Sequence, residues 1–224
     1  MNWKWIVVLG LGAAGALCAE SDAARRLQAA TTAFTEVMGT PDKTIPQDLL
    51  GKSQCVVVIP GLKKGAFIIG AKYGKGFVSC RKTSGVGWSA PGSVRVEGGS
   101  FGFQIGGAAT DVFMLIMNRR GMDRLLSTKF TLGGDASVAA GPVGRSSQAE
   151  TDAAMTAEIL TWSRSKGLFA GISLSGATLR EDSDWNEELY GRAITNRQAI
   201  TTNTAVPRAA AGFVSALDKY SGRK

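Results

Sequence analysis

From Cys55 onward the chain breaks into short apolar runs, each stopped by glycine or proline: CVVVIPG, GAFIIGAKYG, GFVSCR, SVRVEGG and SFGFQIGG. Runs of this length, rich in Val, Ile and Phe and punctuated in this way, are strands rather than helices. A chain so written cannot close into a helical bundle; it has to fold around a sheet. The 29 glycines in 224 residues lie inside these apolar runs rather than in a linker. That is nearly twice the ordinary usage, and it marks a bulged, closely packed sheet, not a disordered segment.

Later segments extend the pattern. DVFMLIMN at Asp111–Asn118 has the length of a buried strand, and KFTLG, ASVAAG and LFAGISLSGATL read as strands too, the last entered through a turn at Gly167. AETDAAMTAEILTWSR at Ala149–Arg164 fits either a helix or one long strand.

Helical spacing is confined to the flanks. Ser21–Met38 carries Leu27, Ala30, Thr31, Phe34, Val37 and Met38 on one side, with Ser21 as N-cap and Gly39 as the stop. Its other side holds Arg25, Arg26, Gln28 and Glu36. Such an amphipathic stripe either packs on the domain core or enters a membrane interface. Pro46–Lys52, Arg120–Ser127 and Asp184–Tyr190 read as short helices, and Pro207–Tyr220 as a final amphipathic one, with Thr195–Thr204 a loose connection before it. The expected fold is α+β: one strongly curved antiparallel β-sheet, barrel-like or sandwich-like, flanked by N- and C-terminal helices. The length suits one domain over residues 20–224, with a core at 22–191 and a helical extension at 192–224.

Residues 1–19 have the form of an export signal: Lys4 near the start, a twelve-residue apolar core at Ile6–Leu17, and small residues up to Ala19. Lipid attachment at Cys18 is the weaker alternative, because Leu17 stands where such signals want a small residue. The expected address is periplasmic or otherwise in the cell envelope. Once that segment is removed, Cys55 and Cys80 remain. An even pair in an exported chain suggests a disulfide. Two buried thiols are the alternative, and a meander would set a strand between them.

No histidine occurs anywhere, so the Ser-His-Asp and Cys-His arrangements are excluded. Ser163 and Lys166 have the Ser-x-x-Lys spacing, a four-residue pattern that arises by chance and lacks its companion motifs. Gly51-Lys52-Ser53 resembles the tail of a phosphate loop, but the earlier glycine falls on Pro46. Asp182, Asp184 and Asn186 imitate the start of a calcium loop, yet Glu187 and Ala193 occupy its glycine and glutamate positions. We therefore expect no catalysis, no metal and no cofactor.

Charge is more informative. The chain carries +8 overall, and between Asp48 and Glu97 there is not one acidic residue. That span holds Lys63, Lys64, Lys72, Lys75, Arg81 and Lys82, with Tyr73, Phe77 and Trp88 among them. Lys63-Lys64 and Lys72/Lys75 read as turn residues, at opposite ends of the sheet in a simple meander. Such a set suits an anionic lipid surface; the alternative is merely solvated turns. Nucleic acid is a poor partner for cations so scattered.

Six ordered blocks resemble the SYLF domain, also called the Ysc84-type lipid-binding domain: Cys55–Arg81, WSAP at Trp88–Pro91, Ser100–Asn118, Lys129–Arg145, WSRSKGLFAGISLSGATLR at Trp162–Arg180, and NEELYG at Asn186–Gly191. The resemblance implies non-catalytic binding to acidic phospholipid membranes, with phosphoinositides the ligand in eukaryotic members and actin bundling in some fungal ones. An exported chain would meet neither, so those two ligands are not carried over. The implied lipid-binding residues are Arg25 and Arg26 on the first helix with Lys63, Lys64, Lys72 and Lys75, joined by Arg81 and Lys82 from the same acid-free span. The alternative function is an envelope structural or adhesive protein that binds a protein or an acidic polymer.

Overall fold

The structure, a computed structural model, describes residues 20–41, 44–67, 69–100, 109–144, 156–165, 167–172 and 174–221. The expected signal segment lies outside the described residues, as do Lys166 and residues 149–155, the first part of the Ala149–Arg164 segment that fits either helix or strand. Ile159–Ser165, the end of that question, is strand.

Among the described residues nine strands form one sheet: β1 Cys55–Phe67, β2 Ile69–Cys80, β3 Gly92–Ser100, β4 Ala109–Ile116, β5 Lys129–Thr131, β6 Val138–Ala140, β7 Ile159–Ser165, β8 Leu168–Gly171 and β9 Thr178–Glu181. Their order is β5-β9-β3-β2-β1-β4-β7-β6, with β8 also on β7. The architecture is the expected α+β one, a strongly curled sheet with helices at both ends of the chain. The sheet is mixed rather than wholly antiparallel, because β6 runs parallel to β7.

Both faces of the sheet are covered by apolar packing. On one face Val56, Val58, Phe77, Phe113, Leu115, Leu160 and Trp162 meet helix α1, Asp22–Gly39, and the last helix, α6, Ala211–Ser221. The other face buries Val57, Ile59, Val78, Val94, Val96, Val112, Met114 and Leu179 together with Leu125, Leu126, Phe130, Leu132 and Leu174. Residues of alternate parity along each strand thus enter two different cores, which is why the strands read as continuous apolar runs.

Helix α1 starts as its sequence predicts, with the Ser21 side chain accepting the Ala24 N–H. Its stripe of Ala23, Leu27, Ala30, Phe34 and Val37 is almost fully buried. Of the two possibilities for this stripe, the structure takes packing.

Four local expectations are corrected. Pro60-Gly61 does not end a strand: β1 runs through it, and the register against β2 slips between Val58 and Lys63. There is no turn around Gly74, between Lys72 and Lys75; Gly74 and Gly76 are strand positions of close approach, and a Cβ at Gly76 would lie 2.1 Å from the Val58 carbonyl oxygen. Finally, Thr195–Thr204 holds a helix, α5, Asn196–Thr201, with a reciprocal Thr195/Gln198 cap. LFAGISLSGATL also divides, into β8 and β9, at a turn where Gly176 takes φ 81°.

Cys55 and Cys80 are direct partners on β1 and β2 with no strand between them, and their sulfurs are bonded. The two strands pair from Cys55 opposite Cys80 to Phe67 opposite Ile69, so the two cysteines meet at the open end of the hairpin.

Candidate functional site

The β1–β2 hairpin gathers what the sequence scattered. Its ladder pairs Lys63 with Tyr73 and Lys64 with Lys72, and closes at Phe67 opposite Ile69. These lysines are therefore strand residues on the two arms of one hairpin, not turn residues at opposite ends of the sheet. Directly opposed residues share a face and alternate along the strand. Lys63 and Tyr73 accordingly lie on the face that carries α1 elsewhere, and Lys72 on the reverse. Lys63 is exposed, and Tyr73 is 47% exposed. On the outer side of β1, the pairing with β4 extends to Ala109 opposite Lys63.

Helix α1 borders this hairpin at the Pro60-Gly61 irregularity. Arg26 Nη1 donates to the Pro60 carbonyl oxygen at 2.8 Å, and the Gly61 N–H donates to Asp111 Oδ1 at 2.9 Å. Asp111 Oδ2 in turn accepts from Arg164 Nε at 3.0 Å and Nη2 at 2.7 Å, while Arg164 Nη1 donates to Glu36. Burial works against the Arg164 charge, but the hydrogen bonds to Asp111 and Glu36 outweigh it and hold the guanidinium above its ordinary pKa. Glu36 on the helix, Asp111 on β4 and Arg164 on β7 thus lock α1 across the sheet. Beside Asp111 and Arg164 lies an open groove of ≈ 570 Å³ lined also by Arg25, Arg26, Ala29, Pro60 and Gly61. Arg25 is exposed and paired with Asp22.

The remaining expected residues sort differently. Lys75 Nζ lies 2.8 Å from the fully buried Asp182 and 4.3 Å from the centre of the Trp185 ring. Arg81 is 7% exposed, stacks its guanidinium 4.0 Å over Trp88, and donates from Nη2 to the Leu50 carbonyl at 3.3 Å. Both hold the interior together, and Arg81 leaves the surface set on that account: a side chain enclosed in protein cannot reach a bilayer. Lys82 is exposed, but it follows the disulfide end of β2, nine residues beyond Tyr73. At about 3.3 Å per strand residue that is a separate place on the surface.

The other motifs find plain roles. Asp182 caps helix α4, Ser183–Tyr190, by accepting the Trp185 N–H, and Asn186 accepts the Ser93 N–H and donates to Asn196. Ser163 sits mid-strand opposite Val112 and Ala170. Among the described residues no three His, Cys, Asp or Glu side chains are grouped to hold a metal ion, and no helix is long and apolar enough to cross a membrane.

Residues 97–220, more than half of the chain, match the profile of the family described as Ysc84: Las17-binding protein actin regulator. The chain belongs to the Ysc84 family. Among curated relatives, the human SH3 domain-containing YSC84-like protein 1 is 31% identical over 191 residues, 84% of this chain and 55% of its own length. An SH3 domain-containing protein of Schizosaccharomyces pombe is 37% identical over 172 residues, covering 75% and 39%. Protein YSC84 of Saccharomyces cerevisiae is 34% identical over 181 residues, covering 79% and 38%. This Ysc84-family chain thus spans about half, or less, of the relatives it matches. The family description names a binding and regulatory role.

Proposed function

We propose that this protein binds the surface of acidic phospholipid membranes without catalysing a reaction, and that the β1–β2 hairpin docks there beside the polar face of α1. The observation that supports this most directly is the hairpin register. Lys63 and Lys64 on one arm stand level with Tyr73 and Lys72 on the other, and the intervening sequence from Gly65 to Ala71 carries no charged side chain. An apolar tip collared by lysines suits a bilayer interface: the ammonium groups meet lipid phosphates while apolar residues approach the acyl region, and tyrosine favours that boundary.

Helix α1 contributes through Arg25, since its apolar stripe is committed to the core and Arg26 is tied to the Pro60 carbonyl. Each basic residue near an anionic bilayer adds on the order of 1 kcal/mol, so three lysines and Arg25 suffice for reversible docking. With residues 1–19 as an export signal, the membrane in question belongs to the cell envelope.

Flotation with phosphatidylcholine vesicles, with and without phosphatidylglycerol, tests this at low and raised salt. Binding is expected only to the anionic vesicles, weakened by salt and by the combined Lys63→Glu, Lys64→Glu and Lys72→Glu changes. Indifference to vesicles of either kind sinks the proposal and turns the search to protein or acidic-polymer partners.

A further inference from the structure

Four cations stand in direct register across four adjacent strands. Lys75 on β2 is opposite Arg95 on β3, Arg95 is opposite Arg180 on β9, and Arg180 is opposite Lys129 on β5. Directly opposed residues share a face; here it is the face of Phe77, because Val94, Val96 and Leu179 point into the other core. Like charges in opposed pairs destabilise a sheet, and here three such pairs follow one another.

The acids nearby compensate only in part. Asp182 is taken by Lys75. Glu97, one step along β3, lies 3.0 Å from Arg95 Nε and 3.3 Å from Arg180 Nε, one carboxylate between two guanidinium groups. Asp135 accepts the Thr131 N–H at the far end of β5. Arg95, Arg180 and Glu97 are each about a third exposed, and Lys129 is open to solvent.

We propose that Arg95, Arg180 and Lys129 form a seat for the phosphate of an acidic lipid headgroup, which competes with the Glu97 carboxylate for the two arginines. The inference rests on the membrane-docking function proposed above and extends it to a surface that it does not use. Three features select this ligand. Arginine forks match phosphate oxygens bidentately. Three strands at about 4.8 Å spacing put the cations within reach of one phosphate group and its neighbour. The row is also continuous with the hairpin: the adjacent line of opposed residues runs Thr178, Glu97, Tyr73 and Lys63, so a bilayer at the hairpin lies alongside it.

The test is vesicle titration of the purified protein with phosphatidic acid, whose phosphate is terminal, against phosphatidylglycerol. Losing a cation costs roughly fivefold in affinity, so Arg95→Gln with Arg180→Gln is expected to weaken phosphatidic acid binding about 25-fold. Glu97→Gln, which frees both arginines, is expected to tighten it about fivefold. A gain of this kind cannot come from misfolding, and Asp123→Asn, an acid outside the row, controls for net charge. Unchanged affinity in both variants, alongside loss in the hairpin triple variant, overturns the seat and leaves membrane docking standing. Wild-type protein that ignores every vesicle overturns both.

Discussion

Asp182 is completely buried, and its Oδ2 atom lies 2.8 Å from Lys75 Nζ. Lysine here belongs to the inside of the protein although its sequence neighbours Lys72 and Lys63 belong to the hairpin surface. Replacing it by methionine keeps the stem over Trp185 but leaves an uncompensated carboxylate in the interior. Breaking a buried pair from one side costs about 3–5 kcal/mol. Lys75→Met is therefore expected to lower the urea midpoint sharply, whereas Lys63→Met stays within about 0.5 kcal/mol of wild type. Equal stabilities for the two would show that the Asp182 pair does not form.

Two glycines separate close approach from mere flexibility. A Cβ on Gly76 meets the Val58 carbonyl oxygen at 2.1 Å and Ile59 Cα at 2.7 Å, backbone atoms that cannot step aside without moving β1. On Gly51, inside helix α2, Gln47–Lys52, a Cβ meets nothing within 4 Å. Gly76→Ala is expected to destabilise by about 1–3 kcal/mol or more, and Gly51→Ala to stabilise by about 0.4–1 kcal/mol through lost unfolded-state freedom. Thermal unfolding of the two single variants reads both signs at once.

The Cys55–Cys80 bond closes a loop of 25 residues at the open end of the hairpin. Chain-entropy estimates for a loop of that length give about 3–4 kcal/mol. Reductant is expected to lower the unfolding free energy by that order, and the Cys55→Ala/Cys80→Ala variant is expected to show the lower value whether or not reductant is present. A wild type whose denaturation curve is the same with and without reductant would count against the bond.

Much of the fold was legible because its signals are local. Leu27, Phe34 and Val37 repeat at helical spacing and Ser21 caps them, so α1 could be placed to within a residue. Pro60-Gly61 misled because these residues usually punctuate strands, and only the partners across the sheet reveal that β1 continues through them. Lys75 and Arg81 misled for a similar reason: a cation in sequence carries no mark of its depth, which is set for Lys75 by Asp182, far along the chain, and for Arg81 by the Trp88 ring across a local bridge. The row of Arg95, Lys129 and Arg180 could not be read at all. Its members sit on strands far apart in the chain and meet only through the order β2-β3-β9-β5.

Tyr190 supplies a prediction in the alkaline range. Its Oη donates to the Pro91 carbonyl at 2.6 Å at the end of α4, and burial raises its pKa well above the ordinary tyrosine value, only partly opposed by the charge of Arg192. The unfolded chain releases this proton near pH 10, while the folded protein keeps it. The stabilising contribution is thus fully present below pH of about 10, and it declines as pH rises from there toward the folded-state value, because the unfolded state then binds fewer protons. Tyr190→Phe loses the hydrogen bond to Pro91, a cost of about 1 kcal/mol at neutral pH, but it also removes this titration. Its stability is expected to fall less steeply than that of wild type above pH of about 10, so the two curves converge. Parallel curves through the alkaline range, measured by urea denaturation at a series of pH values, would mean that the Tyr190 hydroxyl is open to solvent in the folded protein.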